Sequence, residues 1–213
     1  SNYSQHCSKA VVKSIKTLID RQQPLNAISI HNDISETKHS VKRYGAASTL
    51  AMLEVLDKEG KVEGKITHVS DSRVYRLTKG SSQWECLTRD HNLINELIDE
   101  QMQAEGKQAK MSDYNRTGMA GMMYSITECF SLSTQDGFDA EAPQSDVSTI
   151  DIKSGDSLVI CTDGIHDLVS SDEWHLIDEQ TDLQQWLLTL KTQVYQSEGN
   201  AYDNGTAIVV HFD

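Results

Sequence analysis

The stretch GDSLVICTDGIHDLV, residues 155–169, decides the fold, because a short apolar run there ends in closely spaced aspartates. Residues 158–161 form the run, which has the length and the flanking glycine typical of a buried strand. Asp163 and Asp167 follow it, with Gly164 beside the first. An Asp-Gly pair after a strand is an ordinary turn, whereas carboxylates on a rigid strand end are ligands that Mg²⁺ and Mn²⁺ prefer.

Three more aspartates stand beside apolar runs: Asp71 in VSDSRVYRL, Asp90 in LTRDHN and Asp203 in AYDNGT. Each has a local explanation, since Asp90 precedes a helical period and is a good N-cap, and Asp203 opens an Asp-Asn-Gly turn signal. Carboxylates that converge from several strand ends would instead form a two-metal site. Such a site binds phosphate and lowers the pKa of a bound water. For each single aspartate, a local structural role and a role as metal ligand both remain possible.

Composition limits the class of protein. The 213 residues suffice for one layered core, and the net charge of −13 argues against nucleic-acid binding. No apolar run reaches 18 residues, so we expect no membrane association. The four cysteines include no Cys-x-x-Cys pair, which excludes a zinc knuckle and predicts reduced cysteines in a cytoplasmic protein.

Periodicity predicts strands and helices in groups. Helical periods cover residues 5–20, 90–103 and 182–196, and strand patterns cover 44–56, 61–80, 83–87, 155–164 and 203–212. Within 61–80 the alternation predicts two strands joined by a tight connection, a hairpin. Residues 25–43 and 104–150 show no clear period. Sequential strands and grouped helices favour α+β layers over a parallel Rossmann pattern.

Taken in order, five motifs resemble those of the metal-dependent protein serine/threonine phosphatases of the PPM/PP2C type. GAASTLAMLEV (45–55) is similar to the family's Gly-Ser-Thr-Ala strand, and HVSDSRVYRLTKG (68–80) to its Gly-Asp-Ser-Arg hairpin, with Ser70 replacing the glycine. LTRDHN (87–92) is similar to the Leu-Thr-x-Asp-His motif. GDSLVICTDGIHDLV resembles the signature Gly-Asp-x-Leu-Leu-Leu-x-Ser-Asp-Gly-Leu-x-Asp, and DNGTAIVV (203–210) the terminal Asp-Asn-(apolar)-Thr strand.

The resemblance implies an α+β fold, a four-layer α-β-β-α sandwich of two mainly antiparallel sheets flanked by helices. One phosphatase domain would cover residues 1–213, with helices 5–20 and 182–196 on the outer faces. Residues 99–127 would form the family's flap, a variable segment beside the active site.

The resemblance also implies a site for Mg²⁺ or Mn²⁺, with two or three ions. Asp163 and Asp203 would ligate one metal of a binuclear pair, and Asp167 and Asp90 would hold a further metal together with Asp163. Two neighbours would support these ligands: Gly164 would permit the turn that aims Asp163, and Asn204 would brace Asp203. Gly205 stands where the family has an apolar residue, which we expect to reduce packing without removing a ligand.

The implied function is hydrolysis of phosphoserine and phosphothreonine in proteins by a metal-activated water, in a cytoplasmic monomer whose partner is the phosphoprotein substrate. The family's first motif, Asp-Gly-x-Gly-Gly-His, has no counterpart here, and His6 does not fit it. Either upstream residues supply this motif, and this chain lacks the fold's first strands, or the protein is an inactive pseudophosphatase that acts as a regulatory or protein-binding module. A third alternative is an unrelated α+β binding protein whose aspartates are only turn residues.

Overall fold

The computed structural model describes residues 4–37, 46–106, 120–131, 141–197 and 204–213. The elements follow in chain order: α1 (Ser4–Asp20), α2 (Ala27–Thr37), β1 (Ala47–Ser48), β2 (Leu50–Lys58), β3 (Lys61–Val69), β4 (Arg73–Leu77), β5 (Glu85–Cys86), α3 (Leu93–Glu105), α4 (Ala120–Met123), β6 (Phe130–Ser131), β7 (Asp146–Ile152), β8 (Ser157–Cys161), α5 (Asp163–His166), a 3-10 turn (Ser171–Glu173), α6 (Leu183–Ser197) and β9 (Ala207–His211). None of the described helices is both long and apolar enough to span a membrane.

The chain divides into two compact units, one of residues 1–50 and 90–146, the other of residues 51–89 and 147–213. The three predicted helices are confirmed as α1, α3 and α6. Helix α2 and strand β7 lie in stretches where the sequence showed no clear period. The prediction of one phosphatase domain over residues 1–213 stays a prediction.

In the first unit, α1 buries one apolar face against α2 and the short β1–β6 ladder. Cys7 on that face donates its thiol hydrogen to the Phe130 carbonyl, at 3.4 Å. Helix α3 begins at the N-cap Asn92, whose side chain accepts a hydrogen bond from the Asn95 amide at 3.1 Å. The sequence predicted Asp90 as the N-cap, but the N-cap is Asn92, two residues later. Its side-chain oxygen binds one of the first backbone amides of the helix, which have no partner within the helix.

The second unit contains a three-stranded sheet in the order β2-β3-β7 and a four-stranded sheet in the order β5-β4-β8-β9. The pairs of the four-stranded sheet are antiparallel. Ile66, Val74, Ile152 and Leu158 form one buried cluster, and since they come from β3, β4, β7 and β8, the cluster joins the two sheets.

The opposite face of the four-stranded sheet packs on α6. Tyr75 and Val159, which alternate with Val74 and Leu158 along their strands, join Trp186 and Leu190 of α6 in the larger core cluster. This arrangement confirms the α+β fold class, with antiparallel strands, two packed sheets and a flanking helix. The outer layer expected from residues 5–20 involves α1, which belongs to the other unit, and stays a prediction.

The predicted hairpin within residues 61–80 is wrong, because β3 and β4 belong to different sheets. The chain changes sheet between Val69 and Arg73. At this corner Ser70 has a φ of +82°, in the left-handed region that favours glycine, and its side chain is fully buried. The glycine that the resembling motif carries at this position would adopt the same φ without strain.

Candidate metal-binding site

The segments that follow β8 and precede β9 lie together at one end of the four-stranded sheet. The β8–β9 register places Cys161 opposite Ala207, and the contact continues beyond the strands. The Thr162 amide donates to the Thr206 carbonyl at 3.1 Å, and the Thr206 amide donates to Thr162 Oγ1 at 3.0 Å. Thr162 Oγ1 itself donates to the Asn204 carbonyl at 3.3 Å. The backbone therefore brings the Thr-Asp-Gly and Asn-Gly-Thr segments side by side.

Two glycines allow these segments to approach closely. A Cβ on Gly164 would lie 2.9 Å from the carbonyl carbon and oxygen of Asn204, a distance that real Cβ atoms essentially never show. A Cβ on Gly205 would lie 2.7 Å from Ile165 Cδ1 and 3.0 Å from the Gly164 oxygen. Gly164 thus serves a close approach between loops, beyond the turn that the sequence predicted.

Gly205 has less strict neighbours than Gly164. A Cβ there would meet the end of the Ile165 side chain, which can shift, and the Gly164 oxygen at 3.0 Å. The loss of packing expected from the sequence at Gly205 stays a prediction.

Asp163 opens the one-turn helix α5, and its carboxylate Oδ1 accepts a hydrogen bond from the Gly164 amide at 2.8 Å. The side chain is half-buried. Since Gly164 contacts Asn204, the structure brings Asp163, Gly164 and Asn204 together. Asp203, the predicted partner ligand, lies outside the described residues.

Asp167 follows α5 directly, and its side chain is 69% exposed. Its Oδ1 lies 3.0 Å from Nδ1 of His166, whose side chain is 2% exposed. The Nε2 of His166 donates to the Asp71 carbonyl at 3.0 Å, because a carbonyl oxygen only accepts. Sequence reasoning missed His166. The one available signal was its position three residues after Asp163, where a helical turn points it inward.

The remaining predicted ligand, Asp90, belongs to the first unit. It is half-buried, and its main-chain carbonyl accepts a hydrogen bond from the Asn95 side-chain amide at 2.8 Å. Its role as a ligand stays a prediction. The same holds for the flap at residues 99–127, of which residues 107–119 lie outside the described part of the chain.

The donor groups fit a hard divalent cation. Asp163 and Asp167 offer carboxylate oxygens, and oxygen-only donor sets suit Mg²⁺ and Mn²⁺ better than thiolate or imidazole sets do. The large exposure of Asp167 is compatible with a cation that keeps several of its waters.

The buried thiol beside these residues does not suit nucleophilic chemistry. Burial raises the pKa of Cys161 to about 12, and the neighbouring Asp163 carboxylate adds to this rise. Because the thiolate is the nucleophile, Cys161 stays an unreactive thiol at neutral pH.

No protein-family model and no curated protein matches the sequence. Among solved structures, the chain is similar to the serine/threonine phosphatase Stp1 from Staphylococcus aureus, with 19% identity, a TM-score of 0.69 and coverage of 97% of this chain and 77% of that one. The PPM Ser-Thr phosphatase MsPP from Mycobacterium smegmatis, in complex with cacodylate, gives 17% identity, a TM-score of 0.66 and coverage of 97% and 82%.

The catalytic domain of the phosphatase PstP in complex with 2 manganese ions gives 16% identity, a TM-score of 0.60 and coverage of 96% and 79%. At these low sequence identities, similarity to the solved structures supports a conclusion about the fold alone. Together with the ordered motifs, it confirms the resemblance at that level: the chain has the fold of the PPM-type serine/threonine phosphatases.

Proposed function

We propose that this chain is part of a metal-dependent protein serine/threonine phosphatase of the PPM type, with phosphoserine and phosphothreonine in proteins as its substrates. The observation that carries the proposal is the contact between Gly164 and Asn204. Asp163 and Asp203 each precede one of these residues in the sequence, so two segments that bear carboxylates meet at one sheet end. The fold shared with solved phosphatases supports the same conclusion.

In this proposal Asp163, Asp203, Asp167 and Asp90 hold two or three Mg²⁺ or Mn²⁺ ions. When bound, the ions supply a water that is activated at neutral pH and stabilise the negative charge of the phosphoryl group. The chain's own residues position the ligands: the Gly164 amide orients the Asp163 carboxylate, and the two facing glycines bring the ligand segments together. No cysteine is assigned as nucleophile, since no Cys-x5-Arg motif occurs in the sequence. No histidine is assigned as general acid, since the Asp-Gly-x-Gly-Gly-His motif has no counterpart. We also propose that the protein is monomeric and cytoplasmic.

A second candidate is a pseudophosphatase that acts as a regulatory or protein-binding module. The observation that favours it is the absence of an Asp-Gly-x-Gly-Gly-His motif from the sequence. Without the aspartate of that motif, the remaining ligands would bind one cation more weakly and would not form the bridged pair.

Hydrolysis of p-nitrophenyl phosphate with and without Mn²⁺ separates the two candidates. The assay compares this chain with a version that carries the residues encoded upstream of Ser1. For the phosphatase we expect Mn²⁺-dependent turnover in at least one version, and a loss of about a hundredfold or more in Asp163→Asn, since a metal ligand is removed. Asp172→Asn is the matched control, because Asp172 lies in the exposed 3-10 turn. If neither version hydrolyses the substrate, the phosphatase proposal is wrong and the pseudophosphatase is favoured.

Calorimetry with Mn²⁺ gives a readout independent of turnover. Asp163→Asn is expected to weaken binding about tenfold or more, the size of effect seen even for groups that only support metal ligands. An unchanged Mn²⁺ affinity in this variant would contradict the assignment of Asp163 as a ligand.

A further inference from the structure

The outward side of α1 carries an unusual combination of residues for an acidic protein. Lys9, Lys13 and Lys16 are exposed, and beside them on the helix Val12 and Ile19 are 68% and 56% exposed. Val12 and Ile19 are seven residues apart, two helical turns, so they stand on the same side of the helix. Lys16 lies four residues after Val12 and three before Ile19, which makes it a neighbour of both. We call these five residues the lysine face.

The packing of α1 does not require the lysine face. The opposite side of the helix, with Cys7, Ala10, Val11, Ser14 and Leu18, is buried. Contacts with α2 and with the β1–β6 ladder account for this burial. Exposed β-branched side chains on a helix lower its propensity slightly, so Val12 and Ile19 give no intrinsic advantage where they stand.

The charge of the lysine face runs against that of the whole protein. The net charge is −13, yet α1 carries three lysines and a single acidic residue, the exposed Asp20 at its last position. None of the three lysines forms an ion pair within the described part of the chain, whereas Lys58, Lys61, Lys65 and Lys79 each pair with a carboxylate. The lysine face is therefore a local positive surface with an apolar strip, on an otherwise acidic molecule.

We infer that the lysine face binds an acidic amphipathic helix of a partner protein. Apolar side chains repeating at seven-residue spacing on the partner would cover Val12 and Ile19, and flanking glutamates or aspartates would pair with the three lysines. The seven-residue spacing within α1 matches such a partner over two turns. The inference does not depend on phosphatase activity.

An anionic membrane surface fits the lysine face less well. Helices that lie in a bilayer interface bury Trp, Phe or Leu side chains, and α1 exposes only the short aliphatic chains of Val12 and Ile19.

The test uses the full chain and a fluorescently labelled synthetic peptide of about 20 residues, longer than the ~12–15 residues below which isolated helices are marginal in water. The probe carries leucines at seven-residue spacing and glutamates on both sides of them, and anisotropy reports its binding. Three ion pairs at 0.2–1 kcal/mol each predict that Lys9→Gln/Lys13→Gln/Lys16→Gln binds about tenfold more weakly. The matched control is Lys61→Gln/Lys153→Gln/Lys191→Gln, three exposed lysines elsewhere with the same total charge change. It should change the affinity less than about twofold.

Two further arms test the apolar part and the alternative surface. Val12→Ser/Ile19→Ser should also weaken binding, and so should a probe whose leucines are replaced by serine. Equal losses in the lysine-face and control variants would overturn the inference, as would no measurable binding of the original probe. Lysine-dependent binding to vesicles of phosphatidylcholine and phosphatidylserine that is tighter than probe binding would also overturn it, in favour of a membrane. Circular dichroism of each variant confirms that the exposed substitutions leave the helix folded.

Discussion

The two ends of β8 carry aspartates in opposite environments. Asp156, before the strand, is 2% exposed and accepts three hydrogen bonds, from Arg76 Nη2 at 2.8 Å and from the amides of Lys79 at 3.2 Å and Lys153 at 3.1 Å. At the other end Asp163 is half-buried and Asp167 is 69% exposed. Strand β8 is therefore flanked on one side by a buried, fully hydrogen-bonded carboxylate and on the other by two carboxylates that solvent can reach.

The difference separates structural from ligand carboxylates better than sequence position does. A buried carboxylate is tolerated only when charged and hydrogen-bonding partners surround it, and removing such a group leaves its partners unsatisfied. A metal ligand needs the opposite arrangement, with oxygens that a cation can reach. Stability should therefore depend strongly on Asp156 and weakly on Asp167.

The largest expected effect is at Asp156. Asp156→Ala should lower the free energy of unfolding by about 3–5 kcal/mol, because it leaves the mostly buried guanidinium of Arg76 without its ionic partner. Urea unfolding measures the change, and Asp167→Ala is the matched control. A loss below about 1 kcal/mol for Asp156→Ala would contradict its structural role.

The next effect tests the contact between the two glycine loops. Gly164→Ala should cost about 1–3 kcal/mol, since its Cβ would meet the Asn204 backbone, which cannot move aside as a flexible side chain could. Gly205→Ala strains the same contact, so the double variant should lose less than the sum of the two single losses. Strict additivity in urea unfolding would mean that the two glycines act independently.

Cys161, between the two sets of aspartates, predicts a dependence on alkaline pH. Burial raises its pKa from 9.0 to about 12, so below pH 9.0 both folded and unfolded chains keep the proton and its contribution is constant. Between pH 9.0 and about 12 the unfolded chain loses the proton and the folded chain keeps it, so stability falls as pH rises. Each such group contributes a slope of about 1.4 kcal/mol per pH unit.

Urea unfolding at several alkaline pH values measures this slope. Cys161→Ala should reduce the slope by about one group's contribution, and Cys86→Ala, at an exposed cysteine, should change it less. Cys7 and Tyr75, whose pKa values burial also raises to about 12, keep a residual slope in both variants. Identical slopes in the wild type and Cys161→Ala would show that the thiol ionises in the folded chain.

The smallest effect on stability is expected at Asp167. Asp167→Asn should change the free energy of unfolding by less than about 0.5 kcal/mol, because the side chain is largely exposed. Mn²⁺ affinity, measured by calorimetry, should nevertheless fall if Asp167 is a ligand. A large loss of stability with unchanged Mn²⁺ affinity would make Asp167 a structural residue and remove the contrast with Asp156.

Local patterns account for the parts of the fold that the sequence predicted. Burial of one helix face produces the 3.6-residue period of α1 and α6, and burial of both strand faces produces the apolar run of β8. These patterns involve residues close together in the sequence, so they can be recognised from the sequence alone. Helix α2 escaped notice because its buried Ala27, Ile30 and Ile34 are interspersed with polar residues. Most of β7 is exposed, so its alternation was weak.

Partner choice between strands was harder to predict. Alternation identified β3 and β4 as strands but could not indicate that they join different sheets, because pairing depends on distant segments. Serine at the corner also concealed the left-handed backbone that a glycine would have signalled. The contact between Gly164 and Asn204 has the same origin, since it follows from the β8–β9 register.

The core beneath α6 has one further consequence, for spectroscopy. All three tryptophans of the chain, Trp84, Trp174 and Trp186, have ring centroids 5.8–6.2 Å apart, close enough for excitation energy to pass between the rings. Tryptophan fluorescence is therefore a single local signal from the unit of residues 51–89 and 147–213, whereas far-ultraviolet circular dichroism also records α1, α2 and α3 of the other unit. Unfolding curves from the two signals coincide if the units unfold together, and separate if one unit unfolds before the other.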